Sequence, residues 1–227
     1  GGDIETPNLD RLASDALIFD HAFCASFPTI PFRTDLITGR TGSPFHVWKP
    51  LPHGAWTWVR ALAEDHDYAT QLIHDTPHLV NGGHNFDYPF HAWTFVRGAE
   101  VDRAWISDGF PWPPNWKRDP LFDALGEEAA GTRQNRNYAR ANRGRRDNAD
   151  WNCARLFETA AQCLEQNRNR ENLLLWIDCF DPHEPWDAPP EFVRRYDPRP
   201  GADGTIDPRV FGTERNNPTL SAEARAV

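Results

Sequence analysis

The sequence contains no methionine, no excess of positive charge and no long apolar run. An uninterrupted stretch of about 18 apolar residues would predict a membrane-spanning helix, and its absence argues against one. The formal net charge is −9 at pH 7. Because a nucleic-acid-binding protein needs surplus Lys and Arg to neutralise phosphates, this charge argues against a nucleic-acid partner. The sequence does not identify a cellular compartment.

Closely spaced cysteines are also missing. None of the four cysteines forms a C-x-x-C pair, which argues against a zinc site and favours small buried residues as their role: Cys24, Cys153, Cys163 and Cys179. Proline and tryptophan are abundant by contrast, with 20 and 10 residues, and they predict a chain rich in loops. The composition, 39% hydrophobic and 25% charged, is that of a globular protein.

The first part of the sequence predicts a helix, a strand and a second helix. Thr6 and Pro7 are suited to a helix start, because Thr caps the first turn and Pro lacks the N–H that would remain unbonded there. Residues 16–25 are apolar with scattered polar positions and predict a strand. A short helix is predicted from near Pro31 to Leu36, ending by Gly39.

Two later segments show a helix followed by a strand, the order that is typical of an α/β sheet. Helical spacing of apolar residues over 56–63 precedes a β-prone run over 68–73. The same order recurs with a helix over 151–164 and a continuous apolar run over 173–177. The second run suits a central parallel strand that is covered on both faces. Residues 77–116, which are rich in Pro, Gly, His and Trp, predict long ordered loops.

Two segments carry groups suited to chemistry on an anion. Thr29 stands where the predicted strand gives way to a helix, beside backbone N–H groups that favour anions. Arg33 follows one helical turn later and can clamp an anionic oxygen or hold the nucleophile. Taken alone, this pattern also fits a helix cap with a surface arginine. His183 follows the 173–177 strand, and Asp181 before it is interpreted as a turn former rather than a metal ligand.

Three segments resemble the sulfatase family of the alkaline phosphatase superfamily. Residues 6–13 resemble its T-P-N-L-D-x-L-A segment, and 29–33 followed by 36–40 resembles C-x-P-x-R followed by L-L-T-G-R. Residues 181–186 are similar to its P-H-x-P element. The resemblance implies an α/β fold with a mixed, mostly parallel sheet between helices. It makes 1–198 the N-terminal part of the catalytic domain and 199–227 a loop or linker toward a missing C-terminal part.

The resemblance also implies a hydrolase of small anionic esters that depends on a divalent metal. Calcium is the expected ion, with magnesium or manganese as alternatives, and it holds the nucleophile and the ester oxygens. Thr29 takes the place of the nucleophile and metal ligand, and Arg33 that of the supporting arginine. His183 takes the histidine near the ester oxygens or leaving group. His78 is a weaker match to the histidine of the G-K-W-H element, whose lysine is replaced by Thr76.

Thr29 departs from the family pattern, in which a cysteine or serine is converted to formylglycine. Threonine has an extra methyl group and cannot give that aldehyde, and Cys24 cannot replace it because Ser26 and Pro28 stand where Pro and Arg are needed. Water can cleave a phosphothreonine more readily than a sulfated threonine. The expected substrate is therefore a phosphate mono- or diester. Two alternatives remain open, a sulfuric ester hydrolase proper and a non-catalytic homologue that binds an anion or a partner.

The remaining metal ligands of the family have no match. They lie in a paired-aspartate segment before the T-P-N-L-D segment and in an Asp-Asn or Asp-His segment of the C-terminal half. The sequence begins at Gly1 and ends at Val227 without a cap or turn residue, so we expect truncation at both ends. The chain is accordingly expected to supply only Thr29 to the metal, with most ligands outside it, and to turn over nothing by itself.

Overall fold

The computed structural model describes residues 4–42, 47–81, 83–106 and 130–201, together with 111 and 114. Within these residues, three parallel strands form one sheet in the order β2-β1-β3. The strands are β1 (Ala69–His74), β2 (Ala92–Phe95) and β3 (Leu173–Asp178). Helices precede and connect the strands, so the chain has the α/β fold that the sequence predicts.

Six α-helices accompany the sheet in the described part of the chain. They are α1 (Pro7–Ser14), α2 (Thr29–Thr38), α3 (Trp58–His66), α4 (Ala130–Asn142), α5 (Asn152–Gln166) and α6 (Pro190–Tyr196). Two short 3-10 helices cover Pro77–Leu79 and Asn148–Asp150. None of the described helices is long and apolar enough to cross a membrane.

The core lies on both faces of β1, because neighbouring residues of a strand point to opposite faces. Leu72 packs with residues of α2, α3 and the following loops: Ile30, Ile37, Leu51, Val59, Leu79, Phe86 and Phe90. Ile73 packs on the other face with Val96 and with Leu156 and Ala160 of α5. The central strand is thus covered by helices on both sides, which fixes the position of its carboxyl end.

The predicted strand over 16–25 is wrong. These residues have no regular secondary structure, and their large apolar side chains are exposed to 62–90%: Leu17, Ile18, Phe19 and Phe23. A strand needs a neighbour to accept its backbone hydrogen bonds, and none of the described strands pairs with this segment.

Other boundaries also differ from the prediction. Helix α2 begins at Thr29 rather than near Pro31, because a proline is tolerated in the first turn, and it ends at Gly39 in the left-handed conformation (φ 65°). Strand β2 lies inside the predicted loop region 77–116. Strand β3 is parallel as predicted, but it lies at the edge of the described sheet rather than at its centre.

The helices predicted at the start of the chain, over 56–63 and over 151–164 are confirmed as α1, α3 and α5. Helix α1 has Thr6 at its N-cap position and Pro7 in its first turn, but the predicted side-chain cap is wrong: the Thr6 hydroxyl donates to Asp10 Oδ1 and accepts no bond from a backbone N–H of the first turn. The predicted linker over 199–227 lies outside the described residues apart from 199–201. The domain boundary at residue 198 stays a prediction.

Candidate functional site

The carboxyl ends of β1 and β3 lie side by side and carry the polar groups of the site. His74 and Asp178 are register partners at these ends, since the two strands are parallel. The Asp75 N–H donates to the carbonyl oxygen of Asp178 over 3.2 Å. The buried Thr76 hydroxyl donates to Asp178 Oδ1 over 2.6 Å. Ligands of parallel α/β sheets bind at such strand ends, so this edge is the candidate site.

Arg33 ties helix α2 to this edge. Its Nε and Nη2 donate to the two carboxylate oxygens of Asp178, each over 2.7 Å. The side chains are only 17% and 8% exposed, so this is a bidentate pair that is largely removed from water. The Arg33 Nη1 donates to the carbonyl oxygen of Thr29 over 3.3 Å. Of the two predicted roles of Arg33, the geometry therefore favours holding residue 29 over clamping an anion.

Thr29 is the first residue of α2 and is half-buried. Pro28 and Pro31 have no N–H, and the Phe32 N–H donates to the carbonyl oxygen of Pro28 over 3.0 Å. The N–H groups of Thr29 and Ile30 have no acceptor among the described residues. Unbonded donors at the positive end of a helix attract an anion, and here they lie beside the threonine hydroxyl.

Both predicted histidines contact Phe180. The His183 ring stacks on Phe180 with centroids 4.3 Å apart, and the His78 ring lies 5.4 Å from Phe180. Burial lowers the pKa of His78 to about 4, and the positive charges of His183, His84 and Arg33 act in the same direction. His78 is therefore neutral at pH 7. The structure brings Arg33, His78 and His183 to one edge of the sheet and connects Thr29 to it through Arg33.

Two glutamates face His183, and the sequence analysis did not find them. The His183 Nδ1 lies 3.2 Å from Glu184 Oε2 and 3.6 Å from Glu100 Oε2. Burial raises the pKa of Glu100 to about 7, against the lowering effect of His183. With Nδ1 turned to these carboxylates, Nε2 is the ring nitrogen that remains for a ligand. A carboxylate beside a histidine is a common way to fix its tautomer and orientation.

A pocket adjoins His183 and contains a second buried cation. Arg145 forms an ion pair with Asp187 over 2.5 Å, and its guanidinium lies over the rings of Trp151 and Tyr138. Tyr138 also donates its hydroxyl to Asp187 over 2.7 Å. These residues and Glu100 line the pocket with His183. They are far apart in the sequence, and no motif predicts their meeting.

Trp48 lies beside His78 and His84, with ring centroids 5.2 Å and 6.1 Å apart, whereas His53 and His91 make other contacts. His91 accepts from the backbone N–H of Thr70, near the opposite end of β1. His53 packs edge-on against Tyr88, with centroids 4.5 Å apart. His46 lies outside the described residues. His53 therefore packs against an aromatic ring, and His91 contacts the backbone of β1.

Asp75 is a buried carboxyl group beside the site. It has no exposed surface, its Oδ1 accepts from the Phe180 N–H over 2.6 Å, and its Oδ2 has no partner among the described residues. Burial raises the pKa of Asp75 to about 7, and the negative charges of Asp181 and Asp178 add to the rise. The protonated form is favoured because it can be buried without charge.

This shift predicts that Asp75→Asn stabilises the protein at pH 8. Between pH 3.8 and about 7 the folded state holds a proton that the unfolded state has lost, so this group's contribution to the free energy of unfolding falls as pH rises. The difference between variant and wild type should grow across this range to roughly 1–3 kcal/mol at pH 8. Urea unfolding from pH 4 to pH 8 measures it.

Two buried histidines change the pH dependence of the free energy of unfolding in the opposite direction to Asp75. The effect of Asp75 is therefore measured as the difference between the variant and the wild type. The lowered pKa values of His74 and His78 make stability rise with pH in the acid range. These contributions cancel in the difference. A difference that stays constant with pH would contradict a buried, protonated Asp75.

The described residues do not by themselves fit a calcium ion at Thr29. Calcium takes about 6–8 oxygen ligands. Among the described residues, a convergent group of at least three His, Cys, Asp or Glu ligand atoms is found at Cys153, Cys179 and Asp181. It does not include Thr29. One hydroxyl cannot hold calcium, so further ligands are needed, as the resemblance implies.

The chain matches the family model described as "Sulfatase" over residues 1–209. A curated relative, iduronate 2-sulfatase of Mus musculus, is 26% identical over 98 residues. This alignment covers 40% of the chain but only 18% of the length of that relative. No solved structure matches the chain significantly.

Proposed function

The chain belongs to the sulfatase family, and from this premise we propose that it serves the hydrolysis of a small anionic ester, sulfuric or phosphoric, with Thr29 as the nucleophile. One observation carries the proposal. The start of α2, where two N–H groups have no acceptor among the described residues, is connected through Arg33 and Asp178 to the strand end that precedes His183. This arrangement combines a hydroxyl, anion-binding donors and an acid–base group.

The proposed reaction has two displacements. The Thr29 oxygen forms a bond to sulfur or phosphorus while the bond to the leaving oxygen breaks in line with it. The hydroxyl passes its proton to solvent water as it attacks, and His183 gives a proton to the leaving oxygen. Water then attacks the same sulfur or phosphorus and passes a proton to His183, while the bond to the Thr29 oxygen breaks and that oxygen takes up a proton from solvent. The N–H groups of Thr29 and Ile30 stabilise negative charge on the transferred group.

Arg33 is proposed as a positioning residue rather than as a group that binds the ester. Both of its hydrogen bonds to Asp178 are short, and its third donor group reaches the backbone of Thr29. The pair fixes the first turn of α2 relative to the strand ends. Such fixed donors stabilise charge without reorganising during the reaction.

Family membership and the chemistry of residue 29 favour different ester substrates. Family membership favours a sulfate ester. The hydroxyl of Thr29 favours a phosphate mono- or diester, because a threonine cannot become the aldehyde that releases sulfate by elimination. Parallel assays with aryl sulfate, aryl phosphate and aryl phosphate diester, all with one leaving group, decide between them. A divalent ion, calcium by the resemblance, would hold the ester and lower the pKa of the Thr29 hydroxyl.

We predict that His183→Ala lowers kcat far more for an ester with a poor leaving group than for an ester with a good one. An alkoxide needs a proton as it departs, so hydrolysis of an alkyl ester should fall by about 10²–10⁴-fold. A nitrophenolate leaves without a proton, so its ester should lose less than about tenfold. Measuring kcat for both esters with the natural gene product that carries this chain tests the role. His53→Ala, which changes an exposed histidine that packs on Tyr88, should alter neither rate.

Equal losses for the two esters would assign His183 to binding instead of proton transfer. A non-catalytic homologue is the second candidate. It is favoured by the occupation of Arg33 by Asp178 and by the lack of a carboxylate cluster at Thr29 in the described part of the chain. Binding of inorganic sulfate or phosphate without turnover of any of the three aryl esters would support it.

A further inference from the structure

Two cysteines that are distant in the sequence meet at the edge of the sheet. Cys153 lies in the first turn of α5, and Cys179 follows the last residue of β3. Their sulfur atoms and a carboxylate oxygen of Asp181 all lie within 4.8 Å of one another. Both cysteines are partly buried and are free thiols, whereas Asp181 is exposed. Three potential ligand atoms therefore converge where solvent has access.

Regular elements place two of the three side chains. Cys153 is attached to the start of helix α5, and Cys179 directly follows strand β3. Side chains that are held on a helix start and a strand end favour a precise site.

The exposed carboxylate of Asp181 gives the cluster a negative charge that a cation can balance. Asp75 also acts on both thiols, but it is buried and favours its protonated form, so it adds little charge near neutral pH. Arg145 and His183 face Asp181 with positive charge and are the opposing groups. A bound divalent ion would displace the thiol protons and neutralise most of the negative charge.

We propose that Cys153, Cys179 and Asp181 bind a zinc-class divalent cation. Two sulfurs and one carboxylate oxygen suit a borderline-soft ion in tetrahedral geometry and do not suit calcium, which takes oxygen ligands. Three protein ligands leave a fourth position for water. The ion ties the start of α5 to the end of β3, next to Asp178 and to the loop that carries His183. This site is separate from the proposed metal at Thr29 and does not depend on ester hydrolysis.

Cobalt binding to the reduced, purified chain tests the proposal. Co²⁺ bound by thiolates gives a charge-transfer absorption in the near ultraviolet, and its visible bands report tetrahedral geometry. We expect one Co²⁺ per chain with both signatures, displaced by Zn²⁺. Cys153→Ser and Cys179→Ser should remove the charge-transfer band or weaken binding at least tenfold, and Asp181→Asn should weaken binding. Cys163→Ser, on the same helix outside the cluster, should bind as wild type does.

A second measurement uses only the wild-type chain and so does not depend on the folding of variants. Reduced protein is alkylated with iodoacetamide in the presence and absence of Zn²⁺, and each cysteine is read by peptide mass spectrometry. We expect Zn²⁺ to protect Cys153 and Cys179 and to leave the exposed Cys24 as reactive as before. Equal alkylation with and without Zn²⁺, or a thiolate band that survives in both serine variants, would overturn the proposal.

Discussion

Thr29→Ala should lower the kcat for ester hydrolysis by about 10³-fold or more, since removal of a nucleophile leaves only binding and electrostatic stabilisation. The alanine keeps the helix start, because the N–H groups of residues 29 and 30 and the Arg33 contact to the backbone do not involve the side chain. The loss should therefore appear in kcat while the protein remains folded. The measurement is a steady-state assay of the natural gene product with its best aryl ester.

Two matched variants separate chemistry from structure in this experiment. Thr29→Ser retains a hydroxyl and should keep kcat within about tenfold of the wild type. Thr34→Ala removes a hydroxyl from the same helix, where it donates to the carbonyl oxygen of Ile30, and should leave kcat nearly unchanged. A Thr29→Ala protein that hydrolyses ester at the wild-type rate would remove residue 29 from the mechanism.

Asp178→Asn should have the largest effect on stability and lower the free energy of unfolding by about 3 kcal/mol. The Asp178 side chain is 8% exposed and accepts from Arg33 twice and from Thr76 once. The amide keeps the volume but removes the charge, so the guanidinium is left without its counterion in a largely buried position. Urea unfolding at constant pH measures the change, provided that the m-value stays the same.

The surface pair between Arg60 and Glu64 supplies the control. Glu64 is 61% exposed and bonds Arg60 one helical turn away, so Glu64→Gln should cost less than about 0.5 kcal/mol. A double variant, Arg33→Met with Asp178→Leu, should recover part of the loss because no charge is left unpaired. If Asp178→Asn costs no more than Glu64→Gln, the Arg33–Asp178 pair does not anchor α2.

The fold was predictable where an element buries one face, because its apolar residues then recur at a regular spacing along the sequence. The helices α3 and α5 and the strands β1 and β3 carry apolar residues at the spacing of their elements, because each packs on the core. Strand β2 was missed because its four residues, Ala92–Phe95, are mostly exposed and lie among Pro, Gly and His residues. Apolar composition misled in 16–25, where the side chains are exposed and no pairing partner is described.

The residues of the candidate site were predictable only where they lie within a short sequence motif. Thr29, Arg33 and His183 stand in short segments that resemble those of the sulfatase family. Glu100 and Arg145 carry no such signal, because their roles arise from contacts across the chain with His183 and Asp187. The same holds for Cys153 and Cys179, whose spacing in the sequence argued against a zinc site although the fold brings them together.

Detection of a covalent intermediate tests the central claim most directly. The natural gene product is mixed with an aryl phosphate or aryl sulfate that has a good leaving group, quenched in acid and digested for peptide mass spectrometry. The account predicts that one phosphoryl or sulfuryl group is attached to Thr29 and is absent from Thr29→Ala. Release of the leaving group by an enzyme that carries the modification on another residue, or on none, would contradict it.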